Sequence, residues 1–86
     1  MSECLHVLDL PRPEPAQLSD TCRECLVDGT HPVQLRLCLS CGHVGCCDSS
    51  VNRHATRHAE ESGHPIVRTL EPGESWRWCY PDGSIV

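Results

Sequence analysis

Two C-x2-C pairs, Cys22/Cys25 and Cys38/Cys41, lie close together near the middle of the chain. The second runs straight into Gly-His-Val-Gly-Cys46-Cys47, and an H-x3-H pair, His54 and His58, follows a few residues later. Thiolates and imidazoles at these spacings are what a tetrahedral zinc site requires. Eight cysteines and six histidines among 86 residues make metal the first chemistry to consider.

On a helix, His54 and His58 sit one turn apart on one face. With Cys38 and Cys41 they form a candidate Cys2His2 site. Cys22 and Cys25 then need partners, and Cys46 with His64 completes a candidate Cys3His site. Cys47 is an equally placed thiol, so spacing alone leaves Cys46 and Cys47 open. Cys4 and His6 near one end, with Cys79 and Asp82 near the other, supply a third candidate set, because zinc accepts a carboxylate oxygen. Three Zn2+ ions are expected in all. His31 and His43 read as turn or surface residues.

The elements that must hold these donors are modest. A chain of 86 residues makes one small domain, read as residues 1–86, with too little buried surface for a large core. There is no Phe, and Trp76, Trp78 and Tyr80 are the only aromatics. Such a core contributes only about 3–5 kcal/mol before a staple is added. Disulfides would need an oxidising compartment. The N-terminus has no basic start followed by an apolar stretch, so no secretory signal is visible, and Met1 points to a cytoplasmic protein. No apolar run is long enough to cross a membrane.

The formal charge is −5. Seven metal-bound thiolates carry one charge more than three Zn2+ ions neutralise, so metal leaves the balance acidic. All seven basic residues are scattered arginines. Nucleic-acid affinity rests on clustered positive charge, which is missing here, so neither nucleic acid nor membrane is an expected partner.

Residues 33–39 alternate apolar and polar, a strand pattern. Residues 7–20 are Pro-rich and read as a connector. Gly42 and Gly45 suit a metal-binding turn. Asp48, Ser49 and Ser50 are good N-caps for a helix over about 49–62, which Gly63 and Pro65 end. Residues 66–70 and 75–80 read as strands, the latter with Trp76, Trp78 and Tyr80 on one face and Arg77 and Cys79 on the other. Ile85 and Val86 suit a short last strand. The fold class is α+β: a small zinc-stabilised antiparallel sheet against one main helix, with a second short helix as an option.

The ordered set Cys22-x2-Cys25, Cys38-Leu-Ser-Cys41-Gly-His-Val-Gly-Cys46, His54-x3-His58, Ser-Gly-His64-Pro and Trp78-Cys79-Tyr80 resembles the UBP-type zinc finger. This is the ubiquitin-binding module of deubiquitinases and of a histone deacetylase. The Cys46–Ser50 loop and Glu71-Pro72-Gly73-Glu74 look like its free-standing bacterial members. The resemblance implies three interleaved zinc ions, Cys46 rather than Cys47 as ligand, and a small sheet flanked by helices. Where the family has a final C-x2-C pair, this chain has Cys79-Tyr-Pro-Asp82. The resemblance also implies a pocket for the free ubiquitin tail, of which Trp78 and Tyr80 are retained. The usual aromatic before Cys38 is Arg36, the loop arginine is replaced by Asp48-Ser49, and a C-terminal aromatic is Ile85. Losing a buried charge pair costs roughly 2–5 kcal/mol. These departures argue against tight capture of a ubiquitin tail unless Arg36 or Arg53 substitutes.

The expected function is therefore a non-catalytic zinc module that binds a protein or peptide beside Trp78, Tyr80 and Arg36. Two other readings follow from the same residues. One is a redox- or metal-responsive zinc switch, with Cys47 as the spare thiol. The other is a metalloenzyme with an open position at Cys4, His6 and Cys79. The zinc-deaminase signature is absent, and no Ser-His-Asp or Cys-His catalytic arrangement is recognisable from the sequence.

Overall fold

The computed structural model describes residues 4–86. Five short strands form one antiparallel sheet: β1 (Leu35–Cys38), β2 (Val44–Cys46), β3 (Ile66–Thr69), β4 (Arg77–Cys79) and β5 (Ser84–Ile85), in the order β2-β1-β3-β4-β5. Two helices accompany it, a short α1 (Arg23–Asp28) and the main helix α2 (His54–Ser62). A 3-10 helix over Leu5–Asp9 precedes them. The α+β class expected from sequence is thus the observed one.

Cys38 pairs with Val67, Ile66 with Cys79 and Trp78 with Ile85, so the central ladder carries metal-ligand types directly beside core residues. The core is small: Leu37, Leu39, Val44, Ile66 and Cys79, with Val7, Leu10, Leu35 and Leu70 packed on it. A second buried cluster consists of Cys22, Cys25 and Cys46, touched by Leu35. Part of the interior is therefore sulfur rather than hydrocarbon.

Several boundaries differ from the sequence reading. Gly45 lies in strand β2, not in a turn. A Cβ there would stand 2.6 Å from the Ala55 backbone nitrogen, so glycine lets α2 rest directly on β2. The helix begins later than residue 49, because the expected capping side chains are used elsewhere. The Ser50 hydroxyl accepts a hydrogen bond from the Val33 N–H at 2.8 Å, and Asp48 accepts one from the Thr56 hydroxyl. The residue before the helix is Arg53, in the left-handed region at φ 46°. The first helical N–H, that of His54, donates to the Cys46 sulfur at 3.1 Å. Sulfur thus satisfies one of the donors that every helix start leaves open. Gly63 closes the helix at φ 76°, a left-handed conformation that glycine adopts without strain. No helix among the described residues is long and apolar enough to cross a membrane.

Candidate metal centres and the adjoining cleft

Three groups of donor atoms converge, each within 4.8 Å. The first joins Cys22 and Cys25 from α1 and the turn before it, Cys46 from the end of β2, and His54 from the start of α2. His54 Nδ1 lies 3.3, 3.4 and 3.3 Å from the three sulfurs, and all four residues are buried. The second joins Cys38 and Cys41 with His58 and His64. Cys38 Sγ is 3.4 Å from His64 Nδ1, and Cys41 Sγ is 3.3 Å from His58 Nε2. The third joins Cys4, His6, Cys79 and Asp82, with His6 Nδ1 at 3.6 and 3.3 Å from the sulfurs and 3.5 Å from Asp82 Oδ1.

Zinc bonds of about 2.3 Å to sulfur and 2.0–2.1 Å to nitrogen place neighbouring corners of a tetrahedron roughly 3.5 Å apart. The observed separations fit that edge. All eight cysteines are free. Burial pushes the Cys22 thiol up to about 12 and the Cys79 thiol up to about 11. Desolvation opposes a buried thiolate, and neighbouring sulfurs oppose it further. A cation among them is what makes this clustering of thiolates stable.

All twelve donors named from sequence are brought together, but two histidines exchange places. His54 joins Cys22, Cys25 and Cys46, and His64 joins Cys38, Cys41 and His58. The spacing of i and i+4 puts two rings on one face without making them meet. Here α2 lies across two centres, with His54 at its N-terminal end turned to one and His58 to the other. His64, just past Gly63, returns toward Cys38 at the start of the neighbouring turn. Of the two thiols that spacing left open, Cys46 and not Cys47 lies in a donor group.

Residues not singled out from sequence hold these rings in place. Asp28 Oδ2, at the end of α1, sits 2.9 Å from His54 Nε2 and also accepts from Asn52 Nδ2 at 3.2 Å. A carboxylate on the outer nitrogen fixes the tautomer that leaves the inner nitrogen free for metal. His43 is more than a turn residue: its ring stacks on His58 at 4.0 Å, and its Nε2 lies 2.5 Å from Glu24 Oε1. Asp28→Asn keeps the shape and removes the charge. Its expected outcome is zinc held about 10–100-fold more weakly at one centre, read by competition with a chromophoric chelator, while the other two are unchanged.

Over the strands β1, β3 and β4, a cavity of about 160 Å³ is lined by Arg36, Cys47, Asp48, Trp76, Trp78 and Tyr80, among others. Strand alternation sends Trp76, Trp78 and Tyr80 to this face while Cys79 points into the core, as the sequence pattern suggested. Arg36 is buried, with its guanidinium 4.5 Å above the Trp76 ring. Its Nη1 donates to Leu35 O at 3.0 Å and Thr69 Oγ1 at 3.4 Å, and its Nη2 donates to Gln34 Oε1 at 2.9 Å. Arg53 is exposed and lies outside this lining.

Comparison with known proteins agrees with this arrangement. A family described as a zinc finger in ubiquitin hydrolases and other proteins matches residues 22–86. Ubiquitin carboxyl-terminal hydrolase 44 of Ailuropoda melanoleuca is 31% identical over 93% of the chain, and BRCA1-associated protein of Homo sapiens is 39% identical over 78%. Histone deacetylase 6 of Caenorhabditis elegans is 30% identical over the whole chain. The chain spans only 11%, 10% and 8% of those three proteins. A solution NMR structure of a Rhodopseudomonas palustris protein superposes with a TM-score of 0.86 at 44% identity, covering 99% of this chain and 81% of that one. A family match over most of the chain, together with Cys/His groups at zinc-binding separations, shows that this is a zinc-binding protein of the UBP-type zinc-finger family.

Proposed function

We propose that the 86 residues act as one non-catalytic, zinc-organised module that binds a segment of a partner polypeptide in the cleft of Arg36, Trp76, Trp78 and Tyr80. In this reading the twelve converging residues hold three structural zinc ions. Four protein donors at each centre complete a tetrahedron and leave no position for a catalytic water. Thiolate-rich centres suit a reducing compartment such as the cytoplasm.

The observation that carries the binding reading is Arg36. It is 9% exposed, and among the described residues no carboxylate lies within ion-pair distance of it. Its contacts are all to neutral oxygens and use three of five N–H donors, leaving two. Buried cations are ordinarily paired. A cleft with aromatic walls and an unpaired guanidinium at its floor is complementary to an extended chain bearing an anionic group. Arg36 comes from β1 and replaces, in charge though not in position, the loop arginine that Asp48 and Ser49 displace. Ubiquitin is the first partner to test because of the family's description, and Asp48 at the exposed rim weakens the case for it.

The test is tryptophan fluorescence of the zinc-loaded chain titrated with ubiquitin and with peptides ending in a free or an amidated carboxyl group. Saturable quenching that disappears in Arg36→Met is the expected result. No change with any of these probes at high micromolar concentration overturns the cleft as a peptide site.

A further inference from the structure

We propose that Cys4, His6, Cys79 and Asp82 form an exchangeable zinc site, a clasp on the two chain ends whose occupancy shapes the neighbouring cleft. The three donor groups differ in ways that rank them. The first offers three thiols and an imidazole, all buried. The clasp offers two thiols, an imidazole and a carboxylate, and its His6 and Asp82 side chains are 38% and 37% exposed. Zinc prefers thiolate and imidazole donors to a lone carboxylate oxygen, which water and competing ligands displace more readily. His54 is held from behind by Asp28 and His58 by its stack on His43. Among the described residues, His6 has no such support on its second ring nitrogen.

The clasp also fastens the least anchored parts of the fold. The 3-10 helix that carries His6 buries no residue, and its Leu5 and Leu8 are 72% and 69% exposed. Only Val7, Leu10 and Cys4 rest on the core. At the other end, both residues of β5 are exposed, and only Val86 beyond them rests on the core, its N–H donating to Arg77 O at 3.0 Å. Cys79 is the junction: it pairs with Ser84 of β5 and lies between Trp78 and Tyr80, which line the cleft. Vacating the clasp therefore loosens residues 4–10 and 84–86 and removes one anchor, beside the pairing with β3, from the strand that presents Trp78, while α2 and its two donor groups keep their supports. The link to partner binding rests on the cleft reading above, whereas the order of metal release does not.

The experiment is stepwise zinc removal from the fully loaded chain with a chelator of graded concentration, counting bound zinc by native mass spectrometry and following amide and indole signals by NMR. The expected result is loss of one equivalent at chelator concentrations at least about tenfold below those that remove the rest. Signals of residues 4–10, 84–86 and the Trp78 indole should move while those of α2 stay. Asp82→Cys should hold that equivalent at least about tenfold longer, and Asp82→Ala should give a folded chain with two zinc ions. Simultaneous loss of all zinc, first loss accompanied by changes in α2, unaltered release in Asp82→Cys, or failure of Asp82→Ala to fold each overturns the site as exchangeable. An unmoved Trp78 indole overturns the coupling. If the three-zinc form binds none of the peptide probes, the cleft reading fails while the release order still stands or falls on its own data.

Discussion

Complete removal of zinc with a strong chelator is expected to unfold this chain, and adding zinc back is expected to restore it. The hydrocarbon core amounts to Leu37, Leu39, Val44 and Ile66 with a fringe of half-buried Leu and Val side chains. A core of that size is worth about 3–5 kcal/mol, whereas a structural zinc in a small finger contributes an apparent 10–16 kcal/mol at neutral pH. The donors also join parts of the chain that lie far apart in the sequence. One group connects α1 to β2 and the start of α2, another connects the β1 end to the middle of α2 and the turn after it, and the third connects residues near the two ends of the chain. Without cations, burial pushes the Cys22 and Cys46 thiols toward their neutral forms, and the cluster they make with Cys25 loses the charge that holds it together. Metal uptake must displace their protons, so loading weakens as pH falls. Far-UV circular dichroism during chelation and zinc re-addition is the measurement. A chain that keeps its spectrum with no zinc bound would contradict the energetic argument.

How far the sequence disclosed this structure depended on whether the signal was local. The strand over 35–38 announces itself by alternation, and the end of α2 by Gly63 and Pro65. All twelve donor positions are visible because ligand types at fixed spacing are a local pattern. The partition of donors between centres is not local. Whether His54 turns toward Cys38 or toward Cys22 depends on where β2 sets down the N-terminus of α2, which the close contact of Gly45 with Ala55 decides. The helix start was misplaced for a similar reason. Ser50 and Asp48 have the right chemistry for caps, but Val33 and Thr56 occupy their oxygens from elsewhere in the fold. Strand β2 was hidden behind its glycine and cysteine, which read as a metal turn. The Arg36–Trp76 stack joins two strands' flanks and leaves no trace in either segment alone.

Replacing Cys46 and its neighbour Cys47 in turn should give opposite results, although both are buried thiols at 0% and 5% exposure. Cys46 Sγ stands 3.3 Å from His54 Nδ1 and accepts the first N–H of α2. A thiolate there completes a donor set and places negative charge at the positive end of the helix dipole. Cys46→Ser exchanges the sulfur for a poorer zinc ligand and is expected to lose one zinc equivalent and at least about 4 kcal/mol of stability, the range reserved for loss of a metal or comparable core feature. Cys47 Sγ has only the Ser50 hydroxyl at 3.7 Å and faces the cleft. Cys47→Ser is expected to keep the full zinc content and to cost about 1 kcal/mol, since a hydroxyl fills the same place and finds the same partner. Metal content by mass spectrometry and urea unfolding of the two variants separate the cases. Equal losses would mean that both sulfurs serve the metal, and loss confined to Cys47→Ser would reverse the assignment. The comparison isolates metal chemistry from burial, because the two positions differ in their neighbours far more than in their exposure.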